Sequence, residues 1–158
     1  MLTFLTGVTL TIHLIVDLAL YLCIAFSLWN IARTNHLSFA WIAFVPFLQY
    51  AIIGTLCEEY ILWGVRIRPL SLILVGLNFL QFFLSLISGF FLLNILLNLL
   101  MVLILHKFFY LFHPERAMFY AALSMLGEIP LAIFLFLLRD KPIQMSAAAY
   151  PYPFPNRK

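Results

Sequence analysis

Charge is scarce in this chain. Charged residues fill 9% of its 158 positions, against roughly 25% in an ordinary soluble domain. Hydrophobic residues fill 65%, and a water-soluble fold of this length cannot hide so much apolar surface. The net charge of +3 is dispersed and leaves no nucleic-acid footprint. Cysteine is scarce too. Cys23 and Cys57 stand apart, without a CxxC or the Cys/His spacing of a zinc site, and read as small apolar fillers. The chain has no HExxH, no GxSxG and no glycine-rich phosphate loop, so nothing in it points to an enzyme. Glu58 and Glu59, followed by Arg66 and Arg68, read as interfacial charges. The opening Met1-Leu2-Thr3-Phe4-Leu5 lacks the basic region of a signal peptide, which predicts that the first span is retained. The polar-apolar alternation of an outer-membrane barrel is also missing.

What is present is a series of long apolar runs. A helix needs roughly 20 apolar residues to cross a bilayer. The runs predict an all-α membrane protein, a bundle of about five transmembrane helices within residues 1–142. The expected spans are about 9–30, 38–57, 70–87, 90–112 and 117–138, followed by an extended tail at 143–158. Ser38 suits the start of the second span, and Pro46 predicts that this span is kinked, broken or re-entrant. Pro69 suits the first turn of the third. A single helix over 70–112 would be about 64 Å long, twice the hydrocarbon thickness, so Ser88-Gly89 predicts a tight turn. His113-Pro114-Glu115-Arg116 opens the fifth span, and Pro130 predicts a kink within it. Threaded this way, the basic residues divide almost evenly between the two sides. Arg33, Arg139 and Lys141 lie tight against span ends and favour an outside N-terminus and a cytoplasmic C-terminus.

Each span also carries polar groups near its centre: His13 and Asp17, Gln49, Asn78 with Gln81, Asn98, and Glu128. Threading puts them in one layer near the midplane. Polar groups at that depth are costly and face one another, a cavity or a partner. In the first span Thr6, Thr9, His13, Asp17 and Tyr21 recur at helical steps on one face, where His13 and Asp17 can meet. Asn94, Ser71, Ser85, Tyr120 and Ser124 extend similar stripes on other spans. The plain reading of the layer is interhelical hydrogen bonding. The functional reading is an ion, proton or solute path with Asp17 and Glu128 as its titratable members. Antiparallel threading also places His13 and His106 at similar depth, where they are candidate ligands of a b-type haem. No other cofactor or metal is suggested.

The tail alternates aromatics with proline, Tyr150-Pro151-Tyr152-Pro153-Phe154-Pro155, which predicts polyproline II geometry. Tyr150, Tyr152 and Phe154 are candidate docking side chains for a partner. Leu28-Trp29-Asn30-Ile31-Ala32-Arg33, then Ala40-Trp41-Ile42-Ala43-Phe44-Val45-Pro46, then Gln49 and Gly54, resemble a pattern in small uncharacterised integral membrane proteins of Gram-positive bacteria. The resemblance covers residues 21–57. It implies a bacterial cytoplasmic (inner) membrane protein with a proline-broken second span, and no established activity. Together these readings predict a non-catalytic accessory or structural subunit of a membrane complex. Its partners are the lipid bilayer and other subunits or copies of itself. The alternatives are a small oligomeric transporter using Asp17 and Glu128, and a haem-bearing electron-transfer subunit.

Overall fold

The computed structural model describes residues 2–62, 65–85 and 91–145, with the side chains of 2–8, 62 and 65 excepted. The expected Ser88-Gly89 turn and the tail aromatics Tyr150, Tyr152 and Phe154 lie outside the described residues. The rest is mostly helical.

Helix α1 spans Leu2–Thr34, well beyond the expected 9–30. It ends where a left-handed residue becomes available. His36 has φ 58°, its N–H donates to the Arg33 carbonyl, and the N–H of Leu37 donates to the Ala32 carbonyl. These paired bonds satisfy carbonyls left open by the last turn. A 3-10 helix follows at Ala40–Phe44, then an irregular stretch around Pro46, then α2 at Gln49–Cys57. A two-stranded antiparallel hairpin, β1 (Tyr60–Leu62) and β2 (Val65–Ile67), leads to α3 at Leu70–Ser85. Then come α4 (Phe91–Phe112), α5 (Ala117–Ser124) and α6 (Glu128–Leu138).

Among the described residues two helices are long and apolar enough to cross a membrane, α1 over Thr9–Thr34 and α4 over Phe91–Phe112. The expected fifth span is not one kinked helix. Tyr120 and Phe134 stack with ring centroids 4.5 Å apart, whereas 14 residues of continuous helix would separate them by about 21 Å. The chain therefore turns back at residues 125–127, and α5 and α6 form a hairpin. Pro130 suits this geometry because it lies in the first turn of α6, where its missing N–H is not needed.

The expected second span also turns back. The Tyr21 hydroxyl donates to the Phe44 carbonyl at 2.7 Å, so the 3-10 helix descends alongside α1 as far as Tyr21. From Gln49, α2 climbs again. At its far end the Lys107 ammonium donates to the Glu59 carbonyl, close to the end of α4. Helix α3 then runs antiparallel to α2 at close quarters. A Cβ on Gly54 would lie 2.5 Å from the Ser71 Cα, so glycine is required there.

One end of the molecule gathers the C-termini of α1, α4 and α6. The Ile143 N–H donates to the Asn35 side chain at 3.1 Å, and the Gln144 N–H to the Leu111 carbonyl at 2.9 Å. Lys141 donates to His113 at 2.7 Å. Arg33, Arg66, Arg68, Arg116 and Arg139 lie at this end as well, and Arg68 pairs with Glu59 at 2.7 Å. Lys107 is fully buried beneath this end. Helices α1 and α4 therefore run in the same direction, not in the opposed directions that the five-span threading assigned. The packed core sits at this charged end: Leu28 and Ile31 of α1, Phe108, Phe109 and Phe112 of α4, and Leu135 of α6 are all fully buried.

Candidate functional site

Below that core is a cavity of about 550 Å³. Tyr21 of α1 and Asn98 of α4 both line it, each about 20 Å from the charged end at 1.5 Å per residue. The tips of both turned-back segments reach it. Pro46, Phe47, Gln49 and Tyr50 come from the first, and Ser124, Met125, Gly127 and Glu128 from the second.

Each tip has a local reason for its shape. At the first, Phe47 adopts φ 65°, a left-handed conformation unfavourable for a bulky side chain. It is held there by edge-on contacts with Phe79 at 5.6 Å and Phe82 at 5.4 Å on α3. The carbonyl freed at Phe44 is the one that the Tyr21 hydroxyl satisfies. At the second tip Gly127 has φ 136° and ψ −171°, a region open essentially to glycine alone. The Ser124 hydroxyl donates to the Tyr120 carbonyl at 2.8 Å, within α5. Glu128 follows in the first turn of α6, with its side chain accessible.

The opposite wall is an amide network between α3 and α4. The Gln81 amino group donates to Asn98 Oδ1 at 2.9 Å and to Asn94 Oδ1 at 3.3 Å. The Asn98 amino group donates to Asn94 Oδ1 at 3.0 Å. One turn higher, the Asn78 amino group donates to the Leu74 carbonyl at 3.2 Å and lies 3.9 Å from the Met101 sulfur. Gln49 differs from these. Its side chain is 8% exposed, and its Oε1 is buried without a hydrogen-bond partner. No Lys, Arg or His is among the described residues that line the cavity.

Comparison with protein-family models, with curated proteins and with solved structures finds no match. The site therefore has to be read from its own chemistry.

Of the polar layer expected from sequence, Gln49, Asn78, Gln81, Asn98 and Glu128 line this one cavity. His13 and Asp17 do not. Both stand exposed on the half of α1 that extends past the bundle, and neither makes a hydrogen bond or ion pair with a described residue. The expected contact between them is not formed. Asp17 nevertheless shares the face of Tyr21, one turn further from the charged end. The histidines are not at equal depth either. Measured along the helices, His13 lies about 32 Å from the charged end and His106 about 9 Å, because α1 and α4 run the same way. His106 is half-buried with its ring 6.5 Å from that of Tyr110, and it lies outside the cavity. The two do not bracket a shared ligand.

Sequence reasoning missed the aromatic wall, made of Phe47, Tyr50 and Phe82. Aromatics are so frequent in this chain, 17% of residues, that none stands out. The usable signal was position: Phe47 and Tyr50 flank the break at Pro46.

Proposed function

We propose that the chain is a helical membrane protein in which α1, α3 and α4 cross the bilayer and two re-entrant hairpins enclose a solute-binding cavity, and that it works as a small transporter. One observation carries this reading. Both chain breaks, in hairpins that enter from the same end, open onto the same polar cavity about 20 Å deep. Irregular backbone is tolerated at membrane depth only where protein covers it or where it lines a cavity. Broken helices around a midplane site are the common architecture of solute transporters. The described arginines and lysines gather at one end, which the positive-inside rule assigns to the cytoplasm. Glu128 supplies the charge inside the cavity. Asp17, on the face of Tyr21, marks a route toward the opposite side. Reconstitution into liposomes tests the reading. Solute flux is expected in the wild type and a loss of at least tenfold in Ser124→Phe, which fills the cavity. Flux that survives this substitution, or no flux for any small polar solute tried, sinks it.

A second reading, an accessory subunit of a membrane complex, is favoured by a different observation. In the α1 span every buried residue lies at Ile24 or beyond, and residues 9–19 are exposed throughout. His13 and Asp17 lie on that exposed part, and a carboxylate facing lipid at such depth is costly. A neighbouring subunit, or a second copy, would cover them. Mild detergent extraction at native abundance is the test. A particle of one chain only, with nothing co-purifying, would exclude this reading and would require the transporter to act as a monomer.

A further inference from the structure

We propose that the ligand of the cavity is a compact organic monocation, a primary or secondary ammonium carried on an apolar body. The inference rests on the reading of the cavity as a binding site and adds the chemistry of its occupant.

Charge balance comes first. Glu128 is the one ionisable carboxyl among the described lining residues, and no cationic side chain accompanies it there. A carboxylate at this depth needs a countercharge. The dipole of α6 helps from its N-terminus, but it is equivalent to only about half a positive charge. A net negative charge is left for the ligand to balance, and a single positive charge suffices.

Hydrogen bonding points the same way. Gln49 Oε1 is buried without a donor. The amino groups of Gln81 and Asn78 are committed to Asn94, Asn98, Leu74 and Met101, so the carbonyl oxygens of these two amides remain as acceptors. With the Glu128 carboxylate they form an acceptor-rich lining. An ammonium with N–H groups donates to such a lining, whereas a quaternary ammonium cannot. The amino groups of Gln49 and Asn94 and the Tyr50 hydroxyl stay available for a second polar group on the ligand.

The walls and the volume exclude a bare metal cation. Tyr21, Phe47, Tyr50 and Phe82 give the site aromatic surface, which attracts ammonium groups and packs against an apolar body. The volume of about 550 Å³ falls in the range of small-molecule pockets, roughly 300–1,000 Å³. A metal cation instead takes a close shell of oxygens at about 2.0–2.6 Å.

Calorimetric titration of the purified full chain in detergent micelles tests the proposal with three probes of similar size: phenethylammonium chloride, 2-phenylethanol and sodium phenylacetate. Phenethylammonium is expected to bind at least tenfold more tightly than the alcohol, and phenylacetate not to bind. Glu128→Gln is expected to erase the preference, leaving ammonium and alcohol within about threefold of each other. This ranking is read on the wild type, so it stands even if the variant fails to fold. If the alcohol binds as tightly as the ammonium, or phenylacetate binds best, the cavity survives as a binding site and the cation assignment fails. A folded Glu128→Gln that keeps the full preference also overturns the assignment. If none of the three binds, both the assignment and the binding-site reading fall.

Discussion

The two halves of α4 are chemically alike and structurally opposite. Phe108, Phe109 and Phe112 are fully buried near the charged end, while Phe91 and Leu92, on the same helix, are 73% and 80% exposed. Helix α1 repeats the contrast. Leu28, Ile31 and Ala32 are buried, but residues 9–19 are exposed throughout. The difference lies in the neighbours. At the charged end the two hairpins and the segment after α6 fill the space around α1 and α4. Further along, both hairpins have already turned back, and the long helices are left apart. The polar cavity lies at that boundary, where packing ends. In the proposed membrane setting an apolar surface gains little by leaving lipid for protein, so apolarity alone would not decide which half packs.

The largest effect that can break this comparison is a pair of truncations on one helix. Phe109→Ala is expected to destabilise by about 3–5 kcal/mol, and Phe91→Ala by no more than about 0.5 kcal/mol. Thermal unfolding in one detergent measures both. Equal losses would mean that the half of α4 near Phe91 is packed after all. Next in size is Gly54→Ala, which drives a Cβ into the backbone of α3. A loss of about 1–3 kcal/mol is expected from overpacking, and an unchanged unfolding midpoint would show that α2 and α3 are not so close. Smaller still is Gln81→Leu at the boundary. It removes the bonds to Asn94 and Asn98, and hydrogen bonds between membrane helices average about 0.6 kcal/mol.

The smallest effect is set by pH at the charged end. Burial, with Lys141 and Arg116 adding to it and Glu115 opposing, holds the His113 imidazole below its usual value. Lys141 has only protons to donate, so the bonded His113 nitrogen must be the unprotonated one. The neutral ring is therefore the stabilised form. Its contribution is complete above the unfolded value of about 6.5 and is lost as pH falls through the lower folded value. The midpoint of unfolding should drop between pH 7.5 and 5, and His113→Gln should flatten part of that drop. A wild-type profile no steeper than that of the variant would count against the His113–Lys141 contact.

Much of this was legible in the residues. The apolar runs that became α1, α3 and α4 were readable from length alone, and their observed ends fall near the expected ones except at the start of α1. Pro46 announced a break, and five of the seven polar-layer residues do share a site. What misled was the assumption that each run crosses the membrane once. The runs at 38–57 and 117–138 are long and apolar enough to cross, and Pro130 looked like a kink. The decisive residue was Gly127, whose φ of 136° lets the chain reverse. That assumption also gave α4 the wrong direction relative to α1, paired His13 with His106, and divided the basic residues between two sides.

By itself the sequence determined a mostly helical chain with runs long and apolar enough to cross a membrane, because charge is scarce and apolar residues are continuous, and it named the polar residues that such a chain must shelter. Tertiary structure alone decided which of them meet. Whether a run crosses or returns depends on long-range contacts such as Tyr120 on Phe134 and Tyr21 on Phe44, and no local pattern encodes these. Those contacts brought Gln49 and Glu128 to one cavity and left Asp17 outside it.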